Sequence, residues 1–148
     1  MTLLDAQVYD EAAARRRRNR KITAAVIAVV VITLTWMYRN WPEERIVDHF
    51  FGALQNKEYE TAYGIWMHDP DWRQHPDRYS KKYPFNEFYR DWGPGGDWGL
   101  IKSHKIYASG APPGGGSGIV VEVIVNDRAE HAHVWVQKSD KTLSFSPY

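Results

Sequence analysis

Residues 22–38 read ITAAVIAVVVITLTWMY, seventeen consecutive positions without a charge. A helix rises about 1.5 Å per residue, so the stretch covers roughly 25 Å. Continuing the helix to Trp41 brings it to about 30 Å, the thickness of the hydrocarbon core of a bilayer. The stretch is apolar on all sides, whereas a helix in a soluble core carries one apolar stripe. It predicts a transmembrane helix over residues 22–41.

The flanks of this stretch support a membrane anchor. Six cations occupy the seven positions 15–21, and the aromatic residues Trp36, Tyr38 and Trp41 suit a membrane–water boundary. A cleaved signal peptide is the alternative, but its apolar part usually has about 7–15 residues and ends in small residues. Here the stretch ends in TWMYR, and the chain has no cysteine for lipid attachment. We therefore expect an uncleaved signal anchor.

The distribution of charge predicts the orientation of the anchor. The arm before it carries six Lys and Arg against three acidic residues, whereas the rest of the chain carries 13 against 15. Because positive flanks stay in the cytoplasm, residues 1–21 are expected to form a cytoplasmic arm on the inner membrane. Residues 42–148 would then lie in the periplasm or outside the cell. The basic residues before the anchor are Arg15, Arg16, Arg17, Arg18, Arg20 and Lys21. Membrane topology and contact with lipid head groups explain them, so we do not expect binding to nucleic acid.

The first residues of the arm allow two interpretations. Leu3, Leu4 and Val8 could form one face of a short helix that docks on a neighbouring subunit, or belong to a frayed tail.

The roughly 106 residues after the anchor match one domain. With no cysteine, that domain has neither disulfides nor thiol chemistry.

Periodicity predicts helices first and strands afterwards. Apolar residues recur at helical spacing over 43–56 and 59–68, and more weakly over 83–92. The period changes to two over 99–108, 119–125, 129–137 and 142–146, with turn residues between these segments. This order predicts an α+β fold in which helices pack on one face of an antiparallel four-stranded sheet.

The pattern F-x-x-A-L-x-x-x-x-Y-x-x-A-Y connects the first two of these helices, through Phe50, Ala53, Leu54, Tyr59, Ala62 and Tyr63. Together with the strand order, it resembles the nuclear-transport-factor-2-like (cystatin-like) superfamily over residues 43–148. The resemblance implies a cone in which a curved sheet wraps a helix and often leaves a pocket. Its members include isomerases, cyclases, dehydratases, transport factors and non-catalytic accessory domains, among them membrane-anchored bacterial versions. The fold by itself therefore does not assign a function.

The resemblance implies that a catalytic version would carry an acid or base facing the cone, with its pKa tuned by apolar surroundings. Candidate carboxylates are Asp48, Glu87, Asp91, Asp97 and Glu122. Glu122 lies in the middle of a strand, facing either solvent or the pocket. No residue is assigned a catalytic role, no cofactor is expected, and enzymatic activity stays open.

Two histidines form the sharpest local pattern. Alternation places His131, His133 and Trp135 on one face of a strand. Two histidines at this spacing can supply two ligands to zinc, and His104 or Glu122 could supply a third. The alternative is a polar, partly solvated sheet face.

Two tryptophans frame the turn DWGPGGDWG at residues 91–99. A phosphate-binding loop needs a strand before it and a helix after it, and here the order is reversed. The turn is therefore either a rigid corner or an aromatic contact surface. An aromatic surface of this kind could bind a partner, a sugar or the bilayer surface, and the partner-binding candidates are Trp92 and Trp98, with Trp36 and Trp41 near the membrane.

Three functions fit the sequence. The first is a non-catalytic, membrane-anchored accessory or assembly subunit whose outer domain docks on a larger membrane complex. The second is a small-ligand-binding domain or an isomerase- or cyclase-like enzyme that uses the cone. The third is a homodimeric envelope protein without a ligand. The expected partners are membrane lipid and other membrane-protein subunits or a second copy.

Overall fold

Helix α1 spans Glu11–Met37 in the computed structural model, which describes residues 10–148. The Asp10 side chain caps it, accepting hydrogen bonds from the backbone N–H groups of Ala12 and Ala13 at 2.9 and 3.1 Å. No residue of α1 is buried. Among the described residues it is the one helix long and apolar enough to cross a membrane. The prediction made for Leu3, Leu4 and Val8 lies outside the described residues.

The few polar side chains in the apolar part of α1 form hydrogen bonds within the helix. The hydroxyls of Thr33 and Thr35 donate to the carbonyls of Val29 and Val31, both at 2.8 Å. No water in a bilayer core would satisfy these groups, so internal bonds suit a helix surrounded by lipid.

The helix ends at Met37 and does not continue to Trp41 as predicted. Residues 38–40 form a turn, and Trp41 opens helix α2, Trp41–Gln55. Pro42 explains the break, because its ring would clash with the carbonyl of residue 38 in a continuous helix. The chain divides into two units between Arg39 and Asn40, which assigns Trp41 to the second unit.

The second unit has the predicted α+β fold. After α2 come α3 (Tyr59–Trp66) and α4 (Phe85–Trp92), with short 3-10 turns at Trp72–Gln74 and Pro76–Arg78. The strands are β1 (His104–Gly110), β2 (Gly118–Val125), β3 (His131–Gln137) and β4 (Leu143–Phe145). They form an antiparallel sheet in the order β1-β2-β3-β4.

The first strand begins five residues later than predicted, because Asn126 holds the segment before it. The Asn126 side chain accepts hydrogen bonds from the N–H groups of Lys102 and Ser103 at 2.7 and 3.3 Å. It donates to the carbonyl of Leu100 at 3.0 Å. These bonds satisfy backbone groups that a longer strand would have to pair elsewhere.

The core lies between the helices and one face of the sheet. Helix α2 contributes Val47, Phe50, Phe51 and Leu54, all at most 1% exposed. The other core residues are Ala53, Ala62, Tyr63, Trp66, Phe88, Trp92, Ile101, Ile119, Val121, Val123, Val125, Ala132, Val134, Val136 and Leu143. Burying each large apolar side chain stabilises the fold by about 1.5–3 kcal/mol.

Candidate functional site

Alternation along the strands gives the sheet two faces. Val121, Val123 and Val134 face the helices and are fully buried. We call the opposite side the outer face. The strand register pairs Glu122 with His133 there, and Val120 with Trp135. The outer face includes Lys105, Tyr107, Ala108, Gly110, Val120, Glu122, Ile124, His131, His133, Trp135 and Ser144.

Tyr107, His131 and Glu122 lie in a row across three strands of the outer face. Tyr107 occupies a β-bulge, where the register shifts between Ile106 and Ala108. Its ring centroid lies 4.5 Å from that of His131. The Nδ1 atom of His131 lies 3.4 Å from a carboxylate oxygen of Glu122. The structure thus brings together an aromatic ring, an imidazole and a carboxylate from separate strands.

A groove of about 280 Å³ opens beside this row. Glu122 and His133 are among its lining residues, and Nδ1 of His133 lies 3.4 Å from the backbone oxygen of Tyr148. Its apolar lining includes Val120, Pro112, Pro113 and Tyr148. The groove therefore combines one carboxylate and one imidazole with largely apolar walls.

The glycine-rich segment between β1 and β2 passes close to Trp135. A Cβ added to Gly118 would lie 2.6 Å from the Trp135 ring, and one added to Gly116 would lie 3.0 Å from it. Trp135 donates a hydrogen bond from Nε1 to the side-chain oxygen of Gln137 at 3.1 Å. The sequence predicted only turn residues between these two strands. Its glycines could have indicated close backbone approach to a large side chain.

His104 lies on the helix-facing side of the sheet, apart from His131 and His133. It pairs in register with the buried Val125, and its ring stacks on Phe51 with a centroid distance of 5.8 Å. Its Nε2 atom lies 3.1 Å from an Asp48 carboxylate oxygen. His104 therefore cannot join His131 and His133 in one site. Within residues 10–148, no group of three His, Asp or Glu side chains is arranged to hold a metal ion.

The tryptophan turn is a packed corner, which corrects the expectation that Trp92 offers an exposed contact. Trp92 is 3% exposed and packs edge-on against Phe50 and Phe51. Trp98 is partly exposed, with the Arg128 guanidinium 5.7 Å from its ring centroid. The helical spacing of apolar residues places Trp92 on the core-facing side of α4. This spacing predicts its burial better than its position beside the glycine-rich turn does.

The other two tryptophans are exposed. Trp36 lies near the end of α1, and Trp41 is the first residue of α2, with the Arg45 guanidinium 5.0 Å from its ring centroid. Because the two residues belong to separate units, each is a separate candidate contact.

The candidate carboxylates do not gather in the interior. Asp48 and Asp97 are exposed, Glu87 is partly buried, and Asp91 accepts a hydrogen bond from the Tyr83 hydroxyl at 2.9 Å. Burial and the bond to Asp91 raise the pKa of Tyr83 well above its ordinary value. The structure shows no acid–base pair facing the core among these residues.

Two polar contact sites escaped the sequence prediction, because the periodicity of apolar residues does not show which polar side chains meet. Glu43, 4% exposed at the start of α2, accepts a hydrogen bond from the Lys141 ammonium at 2.7 Å. In the loop after α3, a carboxylate oxygen of Asp69 lies 2.6 Å from both the Tyr79 hydroxyl and Nε2 of His75. The hydrogen bond from Tyr79, followed by that from His75, lowers the pKa of Asp69. Both contacts stabilise the domain and lie away from the groove.

Comparisons with protein-family models, with curated proteins and with solved structures find no match for this chain.

Proposed function

We propose that the chain is a non-catalytic, membrane-anchored accessory subunit whose α+β domain binds a partner of a larger membrane complex through the outer face. One observation carries this proposal: the helix-facing residues of β2 and β3 are buried, while the outer face leaves Tyr107 and His133 exposed. Tyr148, beside the groove, is 60% exposed as well. Tyrosine is enriched at protein interfaces, where it supplies a large contact area and a polar end.

The anchor supports a partner in or near a membrane. Helix α1 is long and apolar enough to span a bilayer, and its first turns carry the cluster of cations. By the rule that cations stay inside, the proposed arrangement has a cytoplasmic amino terminus and an extracytoplasmic domain. Confinement near one membrane raises the effective concentration of neighbouring membrane proteins.

The helix pair supports membership of the nuclear-transport-factor-2-like superfamily as part of this proposal. Phe50, Leu54, Ala62 and Tyr63 of the shared pattern are buried, and the strands after them form one antiparallel sheet. In the domain itself, aromatic rings fill the space between helices and sheet. This packing favours a binding role over an enzyme that uses an internal pocket.

A site-directed cross-linking experiment tests the proposal. A photo-reactive amino acid at Tyr107 is expected to join the full-length protein to one membrane protein in native membranes. The matched control places the same group at Asp77, an exposed position in the loop after α3, and is expected to give no such product. Equal yields from both positions, or a mild-detergent particle that contains only this chain, would contradict the accessory role.

A further inference from the structure

Among the described residues, no lysine or arginine forms an ion pair with the Glu122 carboxylate beside the groove. The Glu122 side chain is 36% exposed, and its one ion-pair contact in the described part of the chain is with His131 at 3.4 Å. A carboxylate that lines a groove with apolar walls would bind a cation more strongly than one on an open surface, because less water competes for it.

The size of the groove favours a single side chain as its ligand. Its volume of about 280 Å³ is slightly below the range of about 300–1,000 Å³ that small-molecule pockets occupy. The methylene groups of a long basic side chain would pack on Val120 and Pro112, leaving the charged end at Glu122. The exposed ring of Tyr148 also lines the groove and offers a face for a cation.

We propose that this groove binds an arginine side chain of the partner protein. A planar guanidinium can form two parallel hydrogen bonds to the Glu122 carboxylate and stack on the Tyr148 ring. An ammonium can donate hydrogen bonds to the carboxylate, but it has no planar group that could form the paired bonds or stack. The inference rests on the proposed docking role and names the chemistry that the partner must present. A lysine would bind in the same place with lower affinity.

A peptide titration tests the groove without the native partner. The probe is acetyl-Gly-Gly-Arg-Gly-Gly-amide, added to the isotope-labelled full-length protein in mild detergent, with amide NMR shifts as the readout. Saturable shifts are expected at Val120, Glu122 and His133. The peptide with neutral citrulline should bind about fivefold more weakly, the upper range for a partly exposed ion pair.

Variants separate the charge from other effects. Glu122→Gln should remove the preference for arginine over citrulline. Glu130→Gln makes the same change of charge at an exposed position in the β2–β3 turn and should preserve that preference. Tyr148→Ala, at another exposed position, should also weaken arginine binding and serves as the test if Glu122→Gln fails to fold. Equal binding of both peptides to the unaltered protein, or shifts that do not saturate, would overturn the inference.

The outcomes also separate the groove from the accessory role. Saturable arginine binding without a cross-linked partner would support the groove and contradict the accessory role. A specific cross-link from Tyr107 without arginine preference would support docking and overturn the assignment of an arginine to the groove.

Discussion

Strand β3 presents two surfaces from one backbone. Ala132, Val134 and Val136 face the helices and are at most 2% exposed, whereas His131, His133 and Trp135 between them face outward. The first set has almost no accessible surface left for a ligand, whereas the second carries titratable and aromatic groups that are only partly buried or are exposed. The comparison indicates that the helix-facing residues stabilise the fold, and it leaves the outer face as the surface on which the proposed docking role depends.

The helices that pack on the inner, helix-facing side of the sheet supply many aromatic rings to the core. The ring centroid of Phe50 lies 5.1 Å from those of Trp66 and Trp92, and 5.2 and 6.1 Å from those of Phe51 and Phe88. Such pairs contribute about 0.5–1.5 kcal/mol each beyond their buried area. This packing explains how a domain without disulfides can be stable.

Replacing the central ring should give the largest effect. Phe50→Ala is expected to lower the free energy of unfolding by about 3–5 kcal/mol, because it removes four ring contacts and leaves a cavity. Urea denaturation of the protein in detergent measures the change. Tyr107→Ala on the outer face, where the ring is 62% exposed, should change stability by no more than about 0.5 kcal/mol. Similar losses for both variants would contradict the division between the faces.

The ion pair between the buried Glu43 and Lys141 offers a second test. Lys141→Met leaves the Glu43 carboxylate buried without its cation and should cost about 2–3 kcal/mol. This is below the cost for a fully buried pair, because the Lys141 side chain is 33% exposed. Lys138→Met, in the same turn but exposed, should have little effect.

A double variant separates the loss of the pair from the loss of the lysine stem. Glu43→Gln combined with Lys141→Met should recover part of the stability, because no buried charge is left unpaired. No recovery in the urea midpoint would show that the lysine acts through packing alone.

Gly118 lies close to both the backbone of Val136 and the ring of Trp135. A Cβ at this position would overlap the carbonyl oxygen of Val136 and press on the Trp135 ring. Gly118→Ala should therefore destabilise the domain by about 1–2 kcal/mol and displace Trp135, which the Trp135 indole NMR signal would report. Gly110→Ala is the matched control, since a Cβ there meets no atom within 4 Å. An unshifted indole signal in Gly118→Ala would show that Trp135 does not depend on this glycine.

The loop after α3 should give the smallest effect, and one that depends on pH. Hydrogen bonds from Tyr79 and His75 lower the pKa of Asp69 in the folded protein below its ordinary value of 3.8. Its contribution to stability is therefore complete above that value and is lost as the pH falls through the lowered pKa. Arg78 also lies 3.7 Å from the carboxylate.

Urea midpoints at several pH values between about 5 and 2 measure this contribution. Asp69→Asn should be less stable than the unaltered protein at the upper end, and the difference should narrow toward the lower end. Asp77→Asn, exposed in the same loop, should leave the pH dependence unchanged. A constant difference across the range would contradict a role for the Asp69 charge.

Local pattern in the sequence determined the apolar helix, the order of helices and strands, and the faces of β2 and β3. These features depend on residues close together in the chain: the uncharged stretch 22–38, the helical spacing of Val47, Phe50 and Leu54, and the alternation of strand residues. Hydrophobic burial acts on such periodicity directly, and for this reason the α+β fold could be predicted.

Only the tertiary structure decided how distant residues meet. It placed His104 against α2 and apart from His131, buried Trp92, and paired Glu43 with Lys141 across 98 positions of the chain. It also brought Tyr148 to the groove at Glu122. The register between strands and the packing of helices on a sheet fix these contacts, and no local periodicity encodes them.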